Sequence, residues 1–284
     1  MQESITVGNV EIIALIDMVP PPRQPKDFFP DVQSGLWEPY RNDVLESGMI
    51  QLYYGCFIVR SSGKIIMVDT GIGPGPHLTR GGMEGKLMGE LGRVGIKPYE
   101  VDSVIHSHLH FDHVGWNIDW SGESPRHYFP NARYLVPSVD WDHFTDPKNL
   151  KNSPWIEESV TPLKSLSLMD LFEDGFHVTD EITALMTPGH TPGHMVFLIN
   201  SQGKKGAILG DAIHSKVQIQ EPSWCAGVDT DKEASESNRR KLIQNSYDQD
   251  YILAAGHFHP EEHFGRIVTK DDNFKWQGFK NSCK

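Results

Sequence analysis

Apolar residues along this chain recur in short runs closed by glycine, aspartate or a polar turn, and few stretches carry the spacing of an amphipathic helix. Residues 5–17, ITVGNVEIIALID, read as a strand or hairpin turning at Gly8 and Asn9. Residues 51–71 hold two β-rich runs joined by Ser61-Ser62-Gly63-Lys64, a hairpin signal. A short helix is expected over 84–95, a short buried strand at the start of 101–108, another strand at 132–137 and a helix start over 138–145. FHVTDEITALMT (176–187) and MVFLINSQGKKGAILGD (195–211) form a second β-rich block, with its turn at Ser201-Gln202-Gly203-Lys204. A helix follows over 231–246 with Asp231 as N-cap, then a late strand in YILAAGH (251–257).

The order is therefore β-rich, helical, β-rich, helical. That predicts an α/β chain of two similar halves, each a sheet with helices on one side. Sheet packed on sheet gives a four-layer αββα sandwich, one domain spanning 1–284. Two irregular stretches rich in tryptophan and proline, 18–48 and 212–228, read as substrate or interface loops. With 284 residues, 38% of them hydrophobic, the chain can bury a sizeable core. The net charge of −12 disfavours nucleic acid and anionic membrane as partners. No apolar run approaches the roughly 18 residues of a membrane span, and the Met1 end lacks the pattern of a signal peptide. Cys56, Cys225 and Cys283 are odd in number and far apart, so they form neither a disulfide framework nor a zinc knuckle, and a cytoplasmic location is expected.

The candidate chemistry is concentrated in HSHLHFDHVG (106–115). His108 and His110, two apart just beyond a strand, can face the same way. Asp112 and His113 follow in a turn or helix start and can approach a second point. An H-x-H-x-D-H run can thus feed two adjacent metal ions. Imidazole and carboxylate without thiolate favour zinc, with manganese, iron and cobalt as alternatives, in the style of catalytic sites. TPGHTPGH (187–194) offers His190 and His194, and its prolines keep it out of a helix. Asp211 closes ILGD and His257 closes AAGH. Each ends an apolar strand, where sites gather in α/β architectures.

HSHLHFDH, TPGHTPGH, LGD and AAGH, together with VDTG (68–71), resemble the successive motifs of the metallo-β-lactamase fold superfamily. The resemblance implies that His108, His110 and His190 hold one metal, that Asp112, His113 and His257 hold the other, and that Asp211 bridges the two. It makes Asp69 a carboxylate that orients a ligand and His194 a supporting residue. His106 falls outside the matched positions and reads as buried or supporting. SHLHFDH, with Phe111, looks most like the N-acyl homoserine lactonases. GDAIHSKVQIQEP (210–222) resembles methyl parathion hydrolase and related lactonases. His214 stands where many lactonases carry a tyrosine, and is a candidate to hydrogen-bond the substrate and protonate the leaving alkoxide.

What the resemblance implies, then, is a dinuclear zinc hydrolase in which a metal-bridging hydroxide, oriented by Asp112, opens a lactone or ester. A phosphotriesterase or arylesterase of the methyl parathion hydrolase type is the alternative. A catalytically silent binding protein is disfavoured, because all seven ligand positions hold competent residues. The expected partner is a small lactone, ester or phosphotriester. Enzymes of this type are often homodimeric, which makes 18–48 a candidate subunit interface as well as a pocket lid. Trp116, Trp224 and Phe258 are candidates for the pocket wall, as are Phe28, Phe29, Trp37, Tyr40, Tyr53 and Tyr54.

Overall fold

The computed structural model describes residues 4–279, so Cys283 lies outside the described residues. The strands run β1 (Ser4–Val7), β2 (Val10–Met18), β3 (Tyr54–Ser61), β4 (Lys64–Val68), β5 (Ser103–Ile105), β6 (Ile118–Asp119), β7 (Arg126–His127), β8 (Arg133–Pro137) and β9 (Met169–Phe172). They continue as β10 (His177–Thr179), β11 (Ile182–Met186), β12 (Met195–Ser201), β13 (Lys204–Ile208), β14 (Ile252–Ala254), β15 (Phe264–Lys270) and β16 (Asn273–Gly278). Two seven-stranded sheets result, ordered β1-β2-β3-β4-β5-β8-β9 and β10-β11-β12-β13-β14-β15-β16.

The halves share a construction. An antiparallel pair, β3 with β4 or β12 with β13, is followed by a parallel neighbour, β5 or β14. The expected hairpins are present, with Gly8 at φ +62° closing the first. Between the sheets lie Val10, Ile12, Phe57, Val59 and Ile66 from one half and Ile182, Phe197, Ile199 and Phe264 from the other. Fully burying each such side chain contributes ~1.5–3 kcal/mol. Leu87 and Leu91 of the helix Leu87–Arg93 pack on the outer face of the first sheet. Leu242 and Ile243 of the helix Lys232–Asp248 pack on the outer face of the second. This is the expected four-layer αββα sandwich. Asp231 caps the latter helix by accepting from Ala234 N.

The hairpin β15–β16 was not among the expected elements. It turns at Asp271 and Asp272, both at positive φ, the chemistry of a tight hairpin turn. Three short helices that each begin with proline, Pro147–Leu150 and Pro154–Ser159 at their first position and Thr161–Ser165 at its second, also went unread. The irregular stretches 18–48 and 212–228 pack on each other: Phe28, Phe29, Trp37, Val217, Trp224 and Ala226 form one apolar cluster. Gly227 N donates to Phe28 O at 2.8 Å, and Tyr40 Oη donates to Glu221 Oε1 at 2.6 Å. Among the described residues no helix is long and apolar enough to cross a membrane. Because β4 and β5 are parallel, as are β13 and β14, the segments bearing Asp69, His106–His113, Asp211 and His257 leave the two sheets at one end.

Candidate metal centre

Beyond β5 the chain bends at Ser107, is extended at His110 (φ −72°, ψ 159°), then makes one helical turn, Phe111–Val114. His108 and His110 project together before the turn, and Asp112 and His113 lie on it. His108 Nε2 is 3.1 Å from His110 Nδ1, which is 2.9 Å from His190 Nε2, which is 3.2 Å from His108 Nε2. Three ring nitrogens in a triangle cannot all be satisfied by one another's protons, whereas a cation among them satisfies all three. Tetrahedral zinc with Zn–N of ~2.0–2.1 Å sets its ligands ~3.3 Å apart, close to this triangle. Asp112, His113 and His257 form a second group with ligand atoms within 4.8 Å of one another. Asp211 faces both groups. Its Oδ2 lies 3.0 Å from His257 Nε2 and 3.2 Å from His190 Nε2, and its Oδ1 lies 3.3 Å from His113 Nε2. The buried His113 Nε2 has no hydrogen-bond partner, as a nitrogen aimed at a cation should. The donor set therefore fits two divalent metals.

The second ring nitrogens of His108, His113, His190 and His257 are engaged, which fixes ring orientation. His190 Nδ1 pairs with Asp229 Oδ1 at 2.9 Å, His113 Nδ1 with Asp69 Oδ2 at 2.9 Å and His257 Nδ1 with Tyr53 O at 2.8 Å. Asp69, left-handed at φ +59°, also accepts from Ser107 N and Ser107 Oγ, tying the end of β4 to the ligand run. His194 supports Asp211 by accepting from its backbone N at 2.9 Å. A Cβ at Gly210 would fall 2.6 Å from His194 Nε2, so the LGD bend needs its glycine. His106 is buried with Nε2 near Asn117 Nδ2 and stands apart from the converging nitrogens.

Three buried carboxylates escaped the sequence reading. Asp229 holds His190. Asp140 accepts from Leu109 N, Thr191 Oγ1 and Gly193 N, joining the two histidine loops. Asp17 accepts from Ile72 N, Lys86 N, Leu87 N and Trp116 Nε1. Asp17 did leave a signal: it ends the apolar run IIALID as Asp211 ends ILGD.

Electrostatics divides the histidines. Burial, reinforced by neighbouring imidazoles, holds His108 and His110 well below the usual histidine range, in the neutral form that ligates metal. Burial also opposes charge on His113, His190 and His257, yet Asp211 raises all three, His190 to about 9 with the help of Asp229. Asp211, despite burial, is held well below the usual carboxylate range by His257 and His113.

Above the cluster opens a cleft of about 260 Å³, walled by Phe28, Leu52, Tyr54, Phe111, Trp155 and Val228, with Asp112, Asp211 and His214 among its lining. A second cleft of about 310 Å³ lies against the same His214 and His257 and is lined by Glu46, Lys216, Phe258, His259 and Glu262. His214 stacks on His257 at 5.5 Å, its Nε2 lies 3.3 Å from Asp211 Oδ2, and neither ring nitrogen has a hydrogen-bond partner.

The three residues expected in the pocket wall lie in different places. Trp116 lies in the core beneath the first sheet with its indole on Asp17, because the turn Phe111–Val114 rotates it away from the cleft. Trp224 packs behind the cleft against Phe29, Trp37 and Tyr40. Phe258 packs on Trp276 and borders the more polar second cleft. Of the aromatics in 28–54, Phe28 and Tyr54 line the first cleft.

Residues 53–257 match the description of the Metallo-beta-lactamase superfamily. An N-acyl homoserine lactonase of Bacillus cereus is 26% identical over 220 residues, 71% of this chain and 81% of that protein. One from Bacillus thuringiensis is 25% identical over 247 residues, 81% of this chain and 91% of that protein. Among solved structures, AbOPH, a hydrolase in the beta lactamase superfamily, superposes with a TM-score of 0.83 at 24% identity, covering 97% of this chain and 96% of that one. AidC, a dizinc quorum-quenching lactonase, gives 0.80 at 22% identity, covering 98% of each chain.

Proposed function

Because the chain belongs to the metallo-beta-lactamase superfamily and is a metal-dependent hydrolase, we propose that it opens lactones or esters at a dinuclear zinc centre, with N-acyl homoserine lactones as the leading substrate class. The observation that carries this reading is the paired donor set, three histidines on one side of Asp211 and Asp112, His113 and His257 on the other, beneath an apolar cleft. His108, His110 and His190 would hold one ion and Asp112, His113 and His257 the second, with Asp211 facing both groups. Two divalent ions so held supply Lewis acidity and a water that ionises near neutral pH.

The chain's own groups do the rest. Phe28, Leu52, Phe111 and Trp155 exclude water and seat an acyl group. Asp112, on the cleft floor, accepts a hydrogen bond from the attacking water and fixes its direction. Burial, helped by the Asp112 charge, pushes the Tyr54 phenol up, so it stays protonated and can donate to a substrate oxygen. Burial likewise holds His214 below the usual histidine range, so at neutral pH it offers a neutral N–H to the leaving oxygen. Water adds across the acyl C–O bond, and the products are a carboxylate and an alcohol.

Acid release in weak buffer by zinc-reconstituted protein tests the reading, with a long-chain acyl homoserine lactone, a simple γ-lactone and paraoxon compared. Lactone opening with weak paraoxon turnover is expected. Silence on both lactones with paraoxon or an aryl ester hydrolysed would move the assignment to the phosphotriesterase or arylesterase type. Asp112→Asn should lower turnover about a hundredfold or more while keeping its unfolding transition, and wild-type turnover in that variant would sink the mechanism. His214→Ala should lower lactone turnover about tenfold, the worth of one good hydrogen bond to a developing charge. Metal analysis should find its zinc nearly unchanged. Zinc lost in step with activity would make His214 a support of the centre instead.

A further inference from the structure

We propose that Arg23 and Arg80 form an anion-binding subsite beside the metal centre, which selects substrates carrying a carboxylate in addition to the bond that is broken. The inference rests on the reading of the apolar cleft as the substrate site. Both arginines line that cleft. The chain has ten arginines, at 23, 41, 60, 80, 93, 126, 133, 239, 240 and 266. Eight of them, all but Arg23 and Arg80, make an ion pair with a carboxylate. In a chain with a net charge of −12, carboxylates are in excess. The two arginines that take none among the described residues are the two that border one cleft.

Their seats are aromatic. Arg80 Cζ lies 4.1 Å from the Phe111 ring centroid and 5.7 Å from that of Trp155, and Arg23 Cζ lies 5.9 Å from that of Phe28. A ring face holds a guanidinium in place and leaves its in-plane N–H fork free, the geometry that grips a carboxylate with two hydrogen bonds. Phe111 sits between His110 and Asp112, so Arg80 is anchored to the ligand-bearing turn itself. Compensation of Asp112 and Asp211 does not explain the pair. Asp211 is matched by imidazoles, and neither guanidinium lies within 4.0 Å of either carboxylate. The mostly apolar walls strengthen such charges relative to open solvent.

Calorimetric titration of the zinc-loaded protein with succinate, glutarate and adipate, each against its monomethyl ester, tests the subsite. One carboxylate can occupy the centre, and only the diacid offers a second to the arginines. At least one diacid should bind about tenfold more tightly than its monoester, and Arg23→Gln with Arg80→Gln should bring that ratio to within about twofold. The preference should also shrink as salt is raised from low ionic strength. Equal affinities across the series in the wild type overturn the proposal, as does a preference that survives in the double variant. Should the double variant lose its unfolding transition, the wild-type salt series decides, and a salt-independent preference overturns it. A chain that prefers diacids in this way but opens no lactone or ester would sink the lactonase reading and leave the anion subsite standing.

Discussion

Asp211→Asn is expected to leave at most one metal per chain and to lower turnover about a thousandfold or more. The carboxylate is buried among five imidazoles: His257 at 3.0 Å, His190 at 3.2 Å, His113 and His214 at 3.3 Å and His108 at 3.8 Å. Asparagine keeps the volume and one acceptor oxygen but removes the charge that faces both halves of the centre. The same charge governs the protons of the metal-free protein. Burial alone would keep His113, His190 and His257 neutral, yet Asp211 raises all three, His190 to about 9. A raised histidine stabilises the metal-free fold fully below its unfolded value, and that contribution is lost as pH rises through about 9 for His190. At pH 7 His190 therefore holds a second ring proton that metal must displace. Zinc added to metal-free wild type should release protons into an indicator dye, and Asp211→Asn should release fewer. Two metals per chain with normal turnover in the variant would overturn the proposed placement of Asp211 between two ions.

The legible part of the site was the part written locally. His108, His110, Asp112 and His113 fall within one strand end and one helical turn, so their spacing already states their geometry. Asp211 and His257 were legible because each closes an apolar strand, and two parallel pairings bring such ends together. Asp229 was not, since it meets His190 across 39 positions of chain and no pattern around it marks a strand end. Trp116 shows the reverse failure. Adjacency to the ligand run suggested the pocket, but one turn of helix sent the ring to the core and Asp17. Phe28 and Phe29 make the same point, one lining the cleft and the next packing behind it on Trp37. In the fold, β15 and β16 were missed because residues 264–278 mix charged and apolar positions, and the turn is a pair of aspartates in place of glycine.

Arg239→Met is expected to destabilise the protein by ~3–5 kcal/mol, the usual cost of leaving one member of a buried ion pair alone, and to weaken zinc binding as well. Arg239 is fully buried in the middle of the helix Lys232–Asp248. Its guanidinium donates to Ala212 O at 2.9 Å, Pro222 O at 2.6 Å, Trp224 O at 3.3 Å and Ser235 Oγ at 2.8 Å, and lies 3.4 Å from Asp229 Oδ2. One side chain thus pins the loop that begins at Asp211 and His214 and ends at Asp229. Methionine fills a similar length but takes the guanidinium donor from three carbonyls and a carboxylate, of which Trp224 O keeps Gln218 Nε2 and Asp229 Oδ2 keeps Ala226 N and Ser235 Oγ. Asp229→Asn tests the other end. Despite burial, His190, His214 and Arg239 keep this carboxylate ionised, held well below the usual range. Asparagine can still accept from His190 Nδ1 but no longer strengthens the ring as a ligand, so zinc affinity should fall ~10–100-fold. Because both substitutions break one network, the double variant should cost less than the sum of the singles in unfolding free energy and in zinc affinity. If Arg239→Met lowers stability while competitive chelator titration shows unchanged zinc affinity, the arginine is a strut for the loop alone. Loss of both ties the outer helix to the metal centre, because a charged path between them runs from Arg239 through Asp229 to His190.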